Sequence, residues 1–461
     1  MSELGGLQAK VQIRMISRSM GVKVVVVCAL ALLMSIPAFF VEGLVEERTR
    51  RAADVFREVS GYVGGEQSFL GPTLAIPYSA PTQTPTEAAR HGLYLVFPTR
   101  ASGAVKTTTE ERHRSLFKVP VFRADLKFDA TFDLTGVPAA ASPNAVLDWS
   151  SAEVVIGVSD ARGALADATL TNDGKTSTMV PAVVADSMSI AAAQDQRVKL
   201  TLLGAAVAAK PGTQFNVSAA LRFSGAKRIA VLAYGKTTQL RIDGDWRSPG
   251  FDGGFLPVSR SLSPQGFSAE WSVPFVARGV RAEGSADSIT GLDGTALGVS
   301  FIEVTDPYQS VDRSLKYVLL FLGLVFLSYL IFEVTTGKRV HPAQYGLVGA
   351  AQLIFYLLLL SLAERIGFDW GFLVAGGATV LLLSFNAGWI FASHAQGFRA
   401  AVTFALLYGL IYVLLRLEDN ALLVGAVASF MAVAAAMYFT RRIDWFGSIP
   451  ISAETGPAVQ S

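Results

Sequence analysis

The stretch RVHPAQYGLVGAAQLIFYLLLLSLAER, residues 339–365, decides how the rest of the chain is read. It is too apolar for a water-facing surface and long enough to cross a hydrocarbon core. Yet it is not a bare anchor, because His341, Tyr345, Gln352, Tyr356 and Glu364 interrupt it. Their spacings of four, seven, four and eight residues keep all five near one face of a helix. Ionisable groups within a span are costly enough to mark function. Here, however, His341 sits at one edge beside a helix-starting Pro342, and Glu364-Arg365 at the other. Only Gln352 and Tyr356 lie deep, and neither titrates near neutral pH. Interhelical hydrogen bonds, at roughly 1 kcal/mol each, account for both. Gly346, Gly349, Ala350 and Ala351 offer a small surface for close helix approach. Packing is the expected role of this intramembrane polar stripe, with a proton or solute path as its rival.

Composition agrees with a bilayer setting. Of 461 residues, 51% are hydrophobic and 16% are charged, where soluble domains average about 25% charged. A net charge of +2 gives no reason to expect nucleic acid as a partner. One cysteine, Cys28, excludes an intramolecular disulfide framework and any CxxC site. The histidines at 91, 113, 341 and 394 show no metal-ligand spacing, so no metal or other cofactor is expected.

Outward from the opening stretch, a five-helix transmembrane bundle is predicted over 313–440, with spans near 315–334, 345–363, 371–391, 399–416 and 420–439. A further span, transmembrane helix 1, is predicted over 24–45, where Val24–Val41 is nearly continuous apolar sequence. A cleaved signal peptide is its rival, with small residues around Ser35–Ala38. The apolar run exceeds the usual h-region of about 7–15 residues and favours an uncleaved anchor. Pro37 would kink such a helix without forbidding it. Six spans place both termini on one side. Lys10, Arg14, Arg18, Lys23, Lys338, Arg339, Arg399, Arg441 and Arg442 fall on that side, against Arg365 and Arg416 on the other. The positive-inside rule then makes the basic segment 1–23 and the tail 441–461 cytoplasmic, and puts residues 46–312 outside, which in a bacterium with two membranes is the periplasm.

Residues 46–312 have another character. They open on an amphipathic helix in VEGLVEERTRRAADVFREVSGYV, with Leu44, Ala52, Val55 and Val59 as apolar positions. Short alternating runs follow. In DLKFDATFDL, Leu126, Phe128, Ala130 and Phe132 share one parity, and Asp125, Lys127, Asp129, Thr131 and Asp133 the other. That pattern is a half-buried strand with a wetted face. The aspartates are read as solvated, not as a cation site. AEVVIGVS, RVKLTLLG, RIAVLAYG, TTQLRIDG and FSAEWSV repeat the theme between turns such as Asn172-Asp173-Gly174 and Pro211-Gly212. An antiparallel, sandwich-like all-β domain is expected.

Two further features are candidates. RIDGDWRSPGFDGGFLPVSRSLSPQGFSAEW, residues 241–271, gathers Trp246, Phe251, Phe255, Phe267 and Trp271 among Gly and Pro turns. It reads either as a packed connection with its own small core or as an interaction loop displaying Trp246, Phe251, Phe255 and Trp271. In VTDPYQSVDRSLKYVLLFLG, residues 304–323, Tyr308, Arg313, Lys316 and Tyr317 have the make-up of an interfacial collar. No GxSxG, Walker loop or helix-opening GxGxxG is present, which disfavours an enzyme.

HPAQYGLVGAAQLIFYLLLLSLAERIGF strongly resembles the hallmark segment of the CreD family of bacterial inner-membrane proteins. GEQSFLGPTLAIPY, SLFKVPVF, VSDARG, DWRSPGFDGGFLP, GFSAEW and RSLKYVLLF resemble family motifs in the family order. Ala363-Glu364-Arg365 stands where the resemblance leads to Ser-Glu-His, which argues against a proton relay there, since arginine stays charged. The resemblance implies a cell-envelope integrity protein with a periplasmic β domain, linked to envelope stress and β-lactam response, and with no assigned catalytic residue. The expected partners are membrane lipid and a periplasmic protein, glycan or peptidoglycan. The alternative is a transporter or flippase using the helical bundle; a membrane-embedded hydrolase is a third and weaker reading.

Overall fold

In the computed structural model DLKFDATFDL lies within the strand Phe117–Asp133, and its two parities separate as the alternation demands. Leu126, Phe128, Ala130 and Phe132 are buried, and Asp125, Lys127 and Asp129 face out. The structure describes residues 20–80, 90–114, 117–137, 146–185, 187–191, 197–301, 307–416 and 421–441. The chain divides into two units, one of Met1–Arg51 with Thr305–Ser461 and one of Ala52–Val304.

The second unit is built on two sheets. Among the described residues, one has eleven strands and the other eight. The eight-stranded sheet runs Ser259–Ser263, Gly266–Val273, Thr237–Gly244, Arg100–Arg114, Phe117–Asp133, Gln214–Ala226, Thr169–Asn172, Lys175–Thr178. The main path of the larger sheet runs Ser187–Ala191, Arg197–Ala206, Glu153–Val158, Gln67–Ala80, Arg228–Leu232, Ala296–Phe301, Pro249–Gly253. Aromatic pairs join the two across the core: Phe69 meets Phe223 at 5.3 Å and Phe301 meets Phe122 at 5.1 Å. Two pairings differ from the antiparallel expectation. Gln67–Ala80 runs parallel to Arg228–Leu232, and Arg100–Arg114 parallel to Thr237–Gly244. Partners so far apart in sequence are joined by long crossovers, not hairpins, and alternation alone carries no strand direction.

Two close approaches explain otherwise unusual sequence. Gly71 lies at an irregularity in the pairing of Gln67–Ala80 with Glu153–Val158, and the Tyr234 ring packs directly on it. A Cβ at Gly71 would stand 2.6 Å from that ring. The Tyr234 hydroxyl donates to the Ser102 carbonyl at 2.7 Å, and burial pushes its pKa well above the ordinary tyrosine value. Gln67 is fully buried, and its Nε2 faces three carbonyls, of Gly64 at 2.8 Å, Asp160 at 3.0 Å and Ser224 at 3.3 Å. Thus GEQSF and VSDARG meet at one amide. Val55, Phe56, Val59 and Val63 of the amphipathic helix pack on Val119, Val121 and Ala226.

The first unit is helical: α1 Met20–Leu33, α2 Ser35–Val63 (whose later residues belong to the second unit), α3 Pro307–Lys316, α4 Val318–Thr336, α5 Pro342–Ile366, α6 Phe368–Phe391, α7 His394–Arg416 and α8 Ala421–Thr440. The break between α1 and α2 falls at Met34, one turn before Pro37, whose missing N–H and ring disfavour an unbroken helix. Five helices of the described residues are long and apolar enough to cross a membrane: Gly21–Val63, Val318–Thr336, Pro342–Ile366, Phe368–Phe391 and His394–Arg416. The expected count of six is therefore not matched. The stretch near 420–439 does form helix α8, but several of its side chains lie outside the described residues. The segment expected to enter the second span directly instead forms a separate short helix, α3, set off from α4 at Tyr317.

Candidate functional site

Strand register, more than any motif, assembles the best candidate site. Across the eight-stranded sheet, Gln239 lies opposite Ser102, Ser102 opposite Asp129, Asp129 opposite Ser218, and Ser218 opposite Thr171. A second row runs Thr237, Arg100, Thr131, Asn216. Residues in lateral register share a face, and strands lie about 4.8 Å apart, so five strands carry the first row across roughly 19 Å. Both rows line an open trough of about 850 Å3, closed at one end by the Asp173-Gly174 turn.

Beside the trough several charges of this face pair with one another. Arg222 Nε bonds Asp125 at 2.6 Å, and Arg241 bonds both Asp243 and Glu270 at 3.0 Å. In the trough the pairing stops. The side chains of Arg100, Asp129, Asn216 and Gln239 have no partner among the described residues, so each keeps its hydrogen-bonding capacity for something else. The arrangement can hydrogen-bond a polar ligand along its length. No histidine lines it; its one carboxylate near the serines is Asp129, in register between Ser102 and Ser218.

The aromatic segment is placed differently. Trp246 is half-buried with its ring 6.1 Å from Phe301, and Phe251 packs edge-on against Phe267 and Trp271 at 6.1 Å each. Trp271 is buried, and its Nε1 donates to the Phe255 carbonyl at 3.0 Å. Gly253 and Gly254 make this closure possible: a Cβ on them would stand 2.1 Å from the Ala296 carbonyl oxygen and 1.7 Å from that of Gly294. The apolar side chains this segment exposes are Leu256, Val258 and Leu262.

The stripe in α5 turns inward. His341 caps the helix, its Nδ1 accepting from the Ala343 N–H at 3.2 Å. Buried Tyr345 donates to Glu333 Oε2 at 3.2 Å, and Glu333 is ion-paired with Lys23, whose Nζ also donates to the Val340 carbonyl at 2.6 Å. Glu364 accepts from Tyr308 at 3.0 Å and stands 4.0 Å from Arg48. Gln352 and Tyr356 are buried; among the described residues no well-formed hydrogen bond reaches the Gln352 amide or the hydroxyls of Tyr356 and of Tyr408 in α7, although Tyr408 stands beside Gln352 and Thr379. Sequence reasoning missed Glu333, although it is the one carboxylate in the apolar run 318–336 and the cost of such a group was signal enough. It also missed Arg278, buried in the β unit. Arg278 Nε donates to the Ala233 carbonyl at 2.8 Å, its guanidinium lies 4.1 Å from the Phe97 ring, and burial lowers its pKa to about 10.

A curated relative, "Inner membrane protein CreD" of Escherichia coli (strain K12), is 29% identical over 426 residues, covering 91% of this chain and 92% of its own. The family model described as "Inner membrane protein CreD" matches residues 19–446, nearly the whole of both units, and the chain belongs to that family of inner membrane proteins.

Proposed function

We propose that this protein supports cell-envelope integrity without catalysing a reaction, and that its β unit is a recognition module displayed in the periplasm. The observation that carries the reading is the trough. The side chains of Arg100, Asp129, Asn216 and Gln239, from four strands, line one open surface with no partner among the described residues, while Arg222 with Asp125 and Arg241 with Asp243 and Glu270 pair beside it. Such a lining suits a ligand rich in hydroxyls and amides, as the glycan and peptide of the cell wall are, over an apolar partner. The bias of Lys and Arg toward one set of short segments supports cytoplasmic termini and a β unit beyond the inner membrane. A role in envelope stress and β-lactam response belongs to the same reading.

The test uses cells. Deleting the protein is expected to raise sensitivity to detergent and to β-lactams, and Asn216→Leu with Gln239→Leu to reproduce that loss at unchanged protein level. Wild-type resistance in the double variant would remove the trough from the function. Reporter fusions at Gly253 and Ser461 should fall on opposite sides of the membrane. The second reading, a transporter or flippase, draws on the amide and hydroxyls of Gln352, Tyr356 and Tyr408, which no well-formed hydrogen bond reaches among the described residues. It requires water to reach them, so Gln352→Cys in a Cys28→Ser background would react with a soluble thiol reagent; no reaction counts against transport.

A further inference from the structure

We propose that the cleft between α6 and α7 holds one acyl chain of a zwitterionic phospholipid, with its headgroup on Asp369 and Arg416. The cleft has a volume of about 540 Å3 and is walled by Phe372, Leu373, Val380, Ala405 and Tyr408. That volume falls in the range of sites that take small organic ligands, roughly 300–1,000 Å3. Its floor is opened by Gly376, Gly377 and Gly409, and a Cβ at Gly377 or Gly409 would meet nothing within 4 Å.

Location says what covers it. α6 and α7 are both long and apolar enough to span, and Trp370 and Leu373 of the cleft's lining are exposed by 64% and 62%, as are Leu381 and Leu406 on the same two helices, by 58% and 70%. A surface of that kind in a spanning helix meets lipid. Depth agrees. From Asp369 to Val380 the cleft follows α6 for about 16 Å at 1.5 Å per residue, close to half of a ~30 Å hydrocarbon core. It thus reaches from the interface to the midplane, as one chain of one leaflet does.

Charge at the mouth selects the headgroup. Asp369 and Arg416 form an ion pair, Tyr412 donates to Asp369 Oδ1 at 3.0 Å, and Trp370 stands exposed beside them. Asp369 and Arg416 are each about half exposed, at 48% and 47%, so both charges remain open to a ligand. An adjacent acid and base mirror an ammonium and a phosphate joined by a short linker. The guanidinium takes the phosphate through paired N–H donors, and the carboxylate takes the ammonium. A purely anionic headgroup would satisfy Arg416 and face Asp369 with like charge.

The full chain, purified in mild detergent, is titrated with phosphatidylethanolamine or phosphatidylglycerol of the same acyl composition, and bound lipid is counted by native mass spectrometry. Phosphatidylethanolamine is expected to bind about tenfold more tightly, the equivalent of one charge-assisted contact. Gly377→Leu with Gly409→Leu fills the cleft and should abolish tight binding of either lipid. Asp369→Asn, an exposed and nearly isosteric change that removes the carboxylate facing the ammonium, should remove the preference, whereas Arg416→Gln should weaken both lipids alike. Equal binding of the two lipids overturns the proposal, as does wild-type binding by the filled variant or an undiminished preference in Asp369→Asn.

Discussion

Replacing Lys23 by Met strands a carboxylate inside the helical unit, and the size of the loss follows from the contacts. Glu333 is 4% exposed and has two partners, Lys23 by ion pair and Tyr345 by a 3.2 Å hydrogen bond. Removing Lys23 leaves Glu333 with a tyrosine hydroxyl alone; removing Glu333 leaves Lys23 with the Val340 carbonyl alone. Breaking a buried pair from one side costs about 3–5 kcal/mol, because the remaining charge is desolvated and uncompensated. Removing both charges leaves no such residue, so Lys23→Met with Glu333→Met should cost less than the two single changes summed, by about 2 kcal/mol or more. Unfolding of the full chain in mixed micelles, followed by helical circular dichroism, gives the four free energies of the cycle. Additive losses would refute the reasoning, since they would mean that the two groups do not depend on each other. The contact ties α1 to α4, so a positive coupling would also identify the first span as an integral part of the helical unit and not a detachable leader.

Other consequences are as direct. Gln67→Leu removes a donor from the buried carbonyls of Gly64 and Ser224, and from that of Asp160, which keeps the Gly163 N–H, and is expected to destabilise the β unit by about 2–4 kcal/mol, measured by tryptophan fluorescence on chemical unfolding. Gly71→Ala forces the Tyr234 ring aside and should cost about 1–3 kcal/mol in the same assay, with Gly71→Ala in a Tyr234→Leu background costing less. Asp160 has its pKa lowered, first by the Arg162 side-chain hydrogen bond. Its folded value thus lies below its unfolded one, so its stabilising contribution is full above the unfolded value of about 4 and is lost as pH falls through the folded value. Asp160→Asn should accordingly flatten the acid limb of the stability profile below about pH 4, where an unchanged slope would exclude it as a contributor.

Some of this was legible in the sequence because it is local. Alternation in DLKFDATFDL specifies a buried and a wetted face by geometry alone, and the strand obeys it residue by residue. Apolar runs of sufficient length announce spans. The aromatic segment 241–271 was ambiguous for a physical reason: aromatics among glycines serve equally to pack or to display, and only the close approach of Gly253 and Gly254 to the carbonyls of Ala296 and Gly294 reveals how far it packs, with Leu256, Val258 and Leu262 left exposed. Substituting Trp246 or Phe251 would therefore disturb the fold as well as any interaction, which makes them poor probes of recognition. The partners of the α5 stripe were beyond reach for a different reason. Helical spacing places Tyr345 on a face, but it does not say that the face meets Glu333, or that Lys23 completes the pair from a helix far away in the chain.

The trough marks the limit of such reading most sharply. Gln239, Ser102, Asp129, Ser218 and Thr171 come from five strands, of which only Arg100–Arg114 and Phe117–Asp133 are both consecutive in the chain and neighbours in the row, and each alone is an unremarkable outward residue. A shift of one residue in any strand would turn its member of the row into the core. The core residues that hold register are therefore what hold the candidate site together: Ala101, Ala130 and Val217, buried on the opposite parity, fix where Ser102, Asp129 and Ser218 can stand. Tyr234 adds a lateral tie, its hydroxyl bonded to the Ser102 carbonyl at 2.7 Å and the Asp129 carbonyl at 3.3 Å, directly beneath the row. Tyr234→Phe removes those bonds while keeping the ring on Gly71. It should reduce recognition by the trough more than it reduces stability, and a variant with wild-type recognition at equal protein level would show that the row is held by the strands alone.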